Sequence, residues 1–343
     1  MSKLIVVIGA TGGQGGGVVD RFSKDPAWRV RGVTRNLSSE KAKALISKGV
    51  EMVQANTGDE ESLVRAFQGA NAIFAFTDYY DHFFDHGAAV SMKLEGAQAI
   101  NLAKAAAKTP TLEHYIWSTL PLTSALSQGK AIVPHFEGKA SADVYIKEHL
   151  PELLAKTTFT IFTIFAANMH LYPIFRPIWI ESAKKWIQLY PTSPQSAYLS
   201  VGDHRCNSGV FVHSIISNPP PGGSYVKCNV ETLTMNSYLA LWGKASGISP
   251  EPGSTAVLQV SFEQYVQLWG PMGEEQASQW KFFNTMVELG LSLDKIPGTN
   301  FLDAQELMTE GAISELVSTE ESLKAMDWTG FGHPAKANGV SKM

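Results

Sequence analysis

The chain has 343 residues, 44% of them hydrophobic and 17% charged, and its 28 Lys and Arg against 32 Asp and Glu give a net charge of −4. This composition predicts a globular protein with a sizeable core, and the charge balance excludes the basic footprint of a nucleic-acid-binding protein. The only two cysteines, Cys206 and Cys228, favour free thiols in an intracellular protein over a disulfide framework.

No targeting or membrane segment is expected. The first residues, MSKLIVVIGATGG, lead directly into a strand and a glycine turn, without the apolar run and cleavage site of a secretory signal. The most apolar window, Thr160 to Ile180, is interrupted by polar residues and prolines. We therefore expect a cytoplasmic protein. The final Ser341-Lys342-Met343 resembles the peroxisomal address Ser-Lys-Leu, which leaves a peroxisomal location as the alternative.

The first 165 residues alternate short apolar runs with helical patterns. The segments between the runs space their apolar residues by three and four, and helix starts are indicated at Ser38-Ser39-Glu40 and at Asp59 with Ser62. Strand and helix in this order predict right-handed crossovers. We therefore predict an α/β fold with a Rossmann-type doubly wound parallel sheet over residues 1–165. The predicted strands are KLIVVIG, WRVRGVT, VEMVQA, NAIFAFT, HYIWST and TFTIFTIF.

After Phe165 this alternation fades, and helical patterns dominate from Met235 onward. We predict a smaller, mostly helical C-terminal lobe for substrate or partner over residues 166–330, with one strand at 223–231 that rejoins the sheet. A flexible tail is expected at 331–343. Aromatic residues of the lobe either line a substrate pocket or pack in its core. They are Tyr172, Phe175, Trp179, Trp186, Trp242, Trp269 and Trp280.

A glycine-rich turn, VVIGATGGQGGGVV, follows the first strand and begins the first helix. Gly9 lets the chain turn sharply, Gly12 leaves room for a pyrophosphate, and Gly15 lets the helix approach the sheet. The N–H groups at the helix N-terminus then face the phosphates. We therefore predict a dinucleotide site. Its residues in this turn are Gly9, Ala10, Thr11, Gly12, Gly13, Gln14 and Gly15.

The end of the second strand indicates which dinucleotide binds. It carries Thr34 and Arg35 and lacks the acidic residue that an NAD-preferring site places there. Arg35 can pair with a 2′-phosphate, so we predict NADP(H) as the cofactor. The competing interpretation is a solvated surface arginine. Ser38, Ser39 and Lys41 would add contacts to the phosphate.

Polar residues also follow the other strands. Ligands of doubly wound sheets bind outside the carboxyl ends of the strands, so these side chains either bind the cofactor or cap the following helices. They are Asn56, Thr57, Thr77, Asp78, Tyr79, Ser118, Thr119 and Asn168.

Five segments together resemble the NmrA-like family of atypical short-chain dehydrogenase/reductases: GATGGQGG, VTRN, FTDYYD, HFEGKASADVY and VGDHRCNSGVFV. The resemblance covers essentially the whole ordered chain and implies a Rossmann domain that binds NADP(H). Members of the family sense NADP or act as fungal biosynthetic reductases. The resemblance implies cofactor contacts at residues 9–14, Arg35, Asn56, Thr57, residues 77–79, Lys139, and from Phe165 to Asn168.

Two positions depart from the family pattern. Asn56 stands where an aspartate is common, and Cys206 or Asn207 replaces the second aspartate of a DxRDxG segment. The first departure concerns contacts on the adenine side, and the second concerns structure.

The segment VPHFEGK places Lys139 one helical turn after His135, where many nicotinamide-dependent reductases carry Tyr-x-x-x-Lys. A lysine there can bond ribose hydroxyls and favour proton transfer from a neighbouring donor. We predict Lys139, His135 and Ser118 as catalytic residues. His135 is either the acid or a solvent-facing residue of the first turn, and Ser118 holds the position of a carbonyl-polarising serine. The alternative proton donors are Tyr79, Tyr80 and Tyr172.

The segment DYYDHFFDH places His82 and His86 one helical turn apart, with three aspartates nearby. Metal binding would need a third ligand on an ordered helix, and the aspartates are as easily helix-start residues. We predict no metal site.

Two functions fit these observations. Ser118, Lys139 and the aromatic second half favour an NADPH-dependent reductase acting on a carbonyl, imine or activated double bond of a hydrophobic small molecule, in secondary metabolism. The missing tyrosine favours a non-catalytic NADP(H)-sensing regulator that acts through a protein partner. Neither function requires direct contact with nucleic acid or with a membrane.

Overall fold

The computed structural model describes residues 2–295 and 299–331, so the C-terminal Ser341-Lys342-Met343 and most of the predicted tail lie outside the described residues. The described residues form two compact units. Unit 1 lies within Met1–Thr163, His204–Cys228 and Lys281–Leu316, and unit 2 lies within Ile164–Asp203, Asn229–Trp280 and the segment from Val317 onward. The chain therefore divides differently from the predicted boundary at residue 165, because two later segments return to unit 1.

The regular elements alternate between strand and helix over the first part of the chain. The strands are β1 Lys3–Val7, β2 Trp28–Thr34, β3 Glu51–Gln54, β4 Ala72–Ala75, β5 His114–Ser118, β6 Thr157–Phe162, β7 Ile164–Phe165, β8 Ile178–Ile180, β9 Lys185–Tyr190, β10 Ala197–Gly202, β11 Ser224–Cys228, β12 Glu231–Thr234, β13 Thr255–Gln259 and β14 Phe301–Asp303. The α-helices are α1 Gly13–Phe22, α2 Glu40–Ser47, α3 Glu60–Ala66, α4 Tyr80–His86, α5 Ala88–Ala107, α6 Thr123–Leu126, α7 Pro134–His149, α8 Pro151–Leu154, α9 Asn168–Leu171, α10 His204–Ser217, α11 Met235–Ser246, α12 Phe262–Glu288, α13 Glu310–Ser314 and α14 Thr319–Ala325. Short 3-10 helices lie at Pro173–Phe175, Leu293–Lys295, Ala304–Leu307 and Thr329–Phe331.

Unit 1 is built on an eight-stranded sheet in the order β14-β11-β6-β5-β4-β1-β2-β3. Every neighbouring pair is parallel, and the chain winds outward in both directions from β1 and β4. This confirms the doubly wound parallel sheet. It also confirms that the run at 223–231 rejoins the sheet, as β11 beside β6. The strand β14 at the sheet edge was not predicted.

The predicted helix starts are also present in unit 1. Ser39 caps α2 by accepting a hydrogen bond from the Ala42 N–H, and Asp59 caps α3 by accepting one from the Ser62 N–H.

Unit 2 holds more residues in helices than in strands, and it also contains two three-stranded sheets, β12-β10-β7 and β13-β9-β8. Trp186, Trp242 and Trp280 are 5%, 0% and 4% exposed, which favours core packing over a pocket lining for these three. The remaining predicted aromatics are partly buried: Tyr172, Phe175 and Trp269 against a core of Ile174, Tyr265 and Ala277, and Trp179 against Trp186. None of the helices in residues 2–295 and 299–331 combines the length and hydropathy that crossing a bilayer requires.

Helices α1 and α10 approach each other closely through glycines. A Cβ at Gly17 would lie 1.9 Å from the Arg205 carbonyl oxygen, and one at Gly209 would lie 2.3 Å from the Gly17 carbonyl oxygen. The run GGGVV of the first helix therefore serves helix packing as well as the turn that precedes it. This contact explains why the segment 204–228 belongs to unit 1.

A buried polar cluster fastens α7 to the sheet. The Asp143 carboxylate of α7 accepts hydrogen bonds from Trp117 Nε1 at 2.9 Å, Thr119 Oγ1 at 2.7 Å and Tyr225 OH at 2.8 Å. Burial is the main cause that raises the pKa of Asp143, to about 7, and these hydrogen bonds and the nearby Lys147 counteract only part of the rise. The cluster connects α7 with β5 and β11 and so fixes the helix that carries Lys139.

Gly209→Ala is expected to lower the free energy of unfolding by about 1–3 kcal/mol, because the added methyl would overlap the backbone of α1. Urea unfolding measures the change. The matched control is Gly311→Ala in α13, where the methyl would meet only Thr309 Oγ1, at an ordinary contact distance of 3.9 Å, and the substitution is expected to stabilise by up to about 1 kcal/mol. Equal stability of Gly209→Ala and wild type would contradict the close approach of the two helices.

The Asp143 cluster predicts a pH dependence of stability. Because the pKa is raised in the folded state, the stabilising contribution of this carboxyl is fully present below its ordinary value of 3.8 and is lost as pH rises toward about 7. The Asp143→Asn variant stays neutral throughout. The free energy of unfolding of wild type minus that of Asp143→Asn should therefore fall by something on the order of 4 kcal/mol across this window and level off above it. A difference that is constant with pH, or that rises, would show that the folded protein does not hold this proton.

Candidate functional site

The glycine turn between β1 and α1 has the geometry that its sequence predicts. Gly9 has a φ of +62°, and the Gly12 N–H donates to the Gly9 carbonyl at 2.9 Å, which closes the turn. A Cβ at Gly15 would lie 2.5 Å from the same carbonyl oxygen, so α1 lies close to the strand, as predicted. At Gly12 an added Cβ would meet the Gly9 oxygen at 3.3 Å and no other described atom within 4 Å. The turn therefore leaves space beside the N-terminus of α1.

An arginine that the residue analysis did not single out holds this turn. Arg205 Nε and Nη2 donate to the Asp20 carboxylate at 2.9 and 2.7 Å, and its Nη1 donates to the Gly12 carbonyl at 2.9 Å. The neighbouring His204 ring lies where a side chain on Gly13 would be. Arg205 lies in the segment VGDHRCNSGVFV, which contributed to the sequence-based prediction only through the family resemblance. Its two departing positions differ: Cys206 is exposed and Asn207 is fully buried.

The start of α1 and the end of β5 also meet at this edge of the sheet. Ser118 Oγ lies 3.3 Å from Gln14 Nε2 and 3.4 Å from Gln14 Oε1, and both distances allow a hydrogen bond. Ala10 and Ser118 are buried at 0% and 6% exposure, whereas Thr11 and Gln14 are partly exposed. Ser118 and the glycine turn are therefore brought together, as the sequence predicts.

Several strand-end side chains cap local turns. Asn56 Oδ1 accepts from the Gly58 N–H at 2.9 Å, Asp78 Oδ1 accepts from the Tyr80 N–H at 3.0 Å, and Thr34 Oγ1 accepts from the Asn36 N–H at 3.2 Å. The Thr57 carbonyl accepts from Asn101 Nδ2 at 3.1 Å. These contacts close turns and do not cap the following helices, since Asp59 caps α3 and α4 has no side-chain cap. The cofactor contacts of Thr34, Asn56 and Asp78 stay predictions.

Arg35 extends from the end of β2 with 65% of its side chain exposed. Its Nη1 forms an ion pair of 2.9 Å with Asp81 in the first turn of α4. An exposed pair of this kind contributes little to stability, so the guanidinium can exchange its partner at small cost.

The Lys139 side chain of α7 reaches the carboxyl end of β4. Its ammonium donates to Glu95 Oε1 at 2.6 Å and to the Thr77 carbonyl, with Thr77 Oγ1 at 3.3 Å. The Thr77 hydroxyl in turn donates to Glu95 Oε1 at 2.8 Å. The lysine is 15% exposed and Glu95 is fully buried. Lys139 is therefore a fixed cation at the strand ends, and its partner is a carboxylate that the sequence analysis missed.

A signal for Glu95 does exist in the sequence. Within the helix SMKLEGAQAINLAKAAAK it shares a helical stripe with Ala99, Leu102, Ala103 and Ala106, all of which are buried. An acidic residue on an apolar stripe predicts a buried partner, which here lies on α7.

Each residue of HFEGK has its own contact in unit 1. The rings of Phe136 and Phe282 lie 6.2 Å apart, and the Glu137 carboxylate accepts from Ser124 N at 2.7 Å and from Thr123 Oγ1 at 2.6 Å. Gly138 makes room for Glu95, since a Cβ there would lie 2.5 Å from Glu95 Oε2. The motif thus packs α7 while it presents Lys139.

His135 is only 8% exposed, so the solvent-facing alternative is wrong. Its ring lies 5.8 Å from the Tyr79 ring and 6.2 Å from the Tyr80 ring, because the first turn of α7 packs against the start of α4. Tyr79 is 2% exposed and its hydroxyl donates to the Ala88 carbonyl at 3.3 Å, which favours packing, and its cofactor contact stays a prediction. The role of His135 as acid stays a prediction.

The last two predicted cofactor residues belong to unit 2. Phe165 ends β7, where its carbonyl lies 3.5 Å from Tyr198 OH, and Asn168 begins α9. Both stay predictions as cofactor contacts. His82 Nε2 lies 3.0 Å from Gln98 Nε2, and within residues 2–295 and 299–331 no three His, Cys, Asp or Glu side chains group as a metal site.

Comparison with known proteins places these features in a family. The model of the NmrA-like family matches residues 1–309. One curated relative, "NmrA-like family domain-containing oxidoreductase notA'" of Aspergillus versicolor, is 35% identical over 144 residues, which is 42% of this chain and 39% of that protein. The first four curated relatives are matched over only 39% to 43% of their own lengths.

Solved structures share the whole fold at low identity. NmrA, a negative transcriptional regulator in complex with NADP, superposes with a TM-score of 0.72 at 20% identity, covering 99% of this chain and 98% of that one. Triphenylmethane reductase of Citrobacter sp. complexed with NADP(H) gives a TM-score of 0.64 at 17% identity, covering 94% and 99%. With the family model matching nine-tenths of the sequence, the chain belongs to the NmrA-like family.

Proposed function

We propose that this protein is an NADPH-dependent reductase that acts on a carbonyl, imine or activated double bond of a hydrophobic small molecule, in secondary metabolism. The observation that carries the proposal is Lys139, a lysine held by Glu95 and Thr77 at the same sheet edge as the glycine turn and Ser118. The oxidoreductase name of the curated relative and the reductase among the structural matches support it.

The residues of the turn suit a dinucleotide. The open face at Gly12 and the free N–H groups at the N-terminus of α1 would hold the pyrophosphate, and Arg205 would keep the turn in shape through the Gly12 carbonyl. When bound, NADPH supplies the hydride. Arg35 would exchange Asp81 for the 2′-phosphate, because an arginine pairs more strongly with a phosphate than with an exposed carboxylate.

Lys139 would bind the ribose and support proton transfer. Two of its N–H groups point to Glu95 and to the Thr77 carbonyl, while the contact to Thr77 Oγ1 is the longest of the three at 3.3 Å. That third N–H is the donor that a ribose hydroxyl would recruit. Ser118 would polarise the reacting group, and His135 would supply the proton.

An aromatic cluster near the start of α4 supports a hydrophobic substrate. The Tyr80 ring lies 5.8 Å from that of Phe83 and 6.4 Å from that of Phe84, and Phe84 is 72% exposed. Cys206 and Cys228 are free thiols, which supports the expected cytoplasmic location.

The second candidate is an NADP(H)-sensing regulator that acts through a protein partner. It is favoured because His135 stands where many reductases carry the tyrosine of Tyr-x-x-x-Lys. The His135 ring is also packed against the rings of Tyr79 and Tyr80. A regulator among the structural matches supports it as well.

A single experiment separates these candidates. NADPH is titrated by fluorescence, and its oxidation is then followed against aromatic ketones, quinones and imines. We expect binding and turnover, and we expect Lys139→Ala to lower kcat/KM by at least about a hundredfold because it removes a charged donor. Lys108→Ala, an exposed lysine paired with Glu60, is the control. Tight binding without turnover would replace the reductase by the sensor, and no binding would contradict both.

Arg35→Glu is expected to weaken NADPH binding by at least about tenfold and to leave NADH binding nearly unchanged, because only NADPH carries the 2′-phosphate. Titration of both nucleotides measures the ratio. Arg29→Glu, an exposed charge reversal at the other end of β2, is the matched control and should not change it. An unaltered ratio in Arg35→Glu would place 2′-phosphate recognition elsewhere.

A further inference from the structure

We infer that Glu95 is the positioning residue of Lys139, a buried carboxylate that fixes the ammonium at the end of β4. The importance of this pair for turnover rests on the proposed reductase function. The pairing itself does not, and it can be measured without any cofactor.

The burial of Glu95 requires a positive partner. Its side chain is fully buried in α5, and a carboxylate without compensation is strongly disfavoured in such a place. Lys139 at 2.6 Å and the Thr77 hydroxyl at 2.8 Å both donate to the same oxygen, Oε1. The negative charge is therefore concentrated opposite the ammonium, which is the arrangement that holds a lysine in one position.

The second carboxylate oxygen of Glu95, Oε2, occupies space that a side chain at position 138 would fill. Glu95 Oε2 is buried, receives no hydrogen bond within the described part of the chain, and lies against Gly138. A glycine inside a helix costs roughly 1 kcal/mol relative to alanine. At Gly138 the cost is explained by the carboxylate, because a Cβ there would lie 2.5 Å from Oε2.

Stability alone does not account for this pair. A buried ion pair is often no more stabilising than apolar residues of the same volume. Glu137 lies on α7, two residues before Lys139, and its carboxylate accepts hydrogen bonds from Thr123 and Ser124. It pairs with no lysine among the described residues. Glu95 differs because it meets the lysine at the strand ends, beside the predicted cofactor residues.

The test treats the folded protein with acetic anhydride, digests it afterwards, and measures the acetylation of Lys139 in its peptide by mass spectrometry. The amine of Lys139 is 15% exposed and is bonded to Glu95 and to the Thr77 carbonyl, so loss of the carboxylate frees the side chain to meet the reagent. We expect Glu95→Gln to speed the acetylation of Lys139 by at least about tenfold. Lys147, on the same helix but bonded to Tyr225 at 2.9 Å, is the reference within each sample and should keep its rate.

Two further variants complete the design. Glu60→Gln removes the partner of the exposed Lys108, and the acetylation rate of Lys108 should change less than about twofold because water already screens that pair. Gly138→Ala keeps every charge but displaces the carboxylate, so it should also speed the acetylation of Lys139. This variant is the test if Glu95→Gln does not fold.

Unchanged acetylation of Lys139 in Glu95→Gln, or in Gly138→Ala where the first does not fold, would overturn the inference. Faster acetylation together with a wild type that neither binds nor oxidises NADPH would retain the pair and reject the proposed function. In an active enzyme, we expect Glu95→Gln to lower kcat more than it changes KM and to shift the pH profile of kcat. Rescue by Glu95→Asp would add support.

Discussion

Lys139 and Glu95 meet where α5, α7 and the end of β4 come together, and neither charge would be stable there alone. The carboxylate has no access to water, and the lysine keeps only a narrow exposed face. The pair therefore restricts α7 to one position relative to α5 and the end of β4. Gly96 and Gly138 allow the two helices to approach closely enough for the pair to form, since a side chain at either position would press on the opposite helix.

The same helix is fastened a second time, one turn further along. Asp143 ties α7 to the indole of Trp117 and to the hydroxyls of Thr119 and Tyr225. With two polar anchors on one face, α7 can neither slide nor rotate without leaving a buried group unpaired. A lysine held in this way is pre-organised, so little ordering is needed when a ligand binds.

Much of the fold was predictable because strand and helix alternate with a clear change of period. The parallel sheet, the strand β11, and the roles of Gly9 and Gly15 all followed from local pattern. The division of the chain was less accessible, because the segments 204–228 and 281–316 return to unit 1 through contacts far apart in sequence.

Only those residues of the candidate site that belong to a local sequence pattern were predictable. Lys139 and Ser118 follow from spacing and strand ends, whereas Glu95 lies 44 residues from its lysine and Arg205 lies 193 residues from Gly12. No short pattern contains both members of such a pair. His135 shows the opposite difficulty: the sequence gives its position on the helix, but only the packing against Tyr79 and Tyr80 shows that it is buried.

The most direct measurement is a crystal structure of the protein grown with NADP⁺. We predict the pyrophosphate at the N-terminus of α1 beside Gly12, the 2′-phosphate on Arg35, and a hydroxyl of the nicotinamide ribose within hydrogen-bond distance of Lys139, with Lys139 still bonded to Glu95. A nucleotide bound elsewhere, or a ribose distant from Lys139, would contradict the assignment of this sheet edge as the cofactor site.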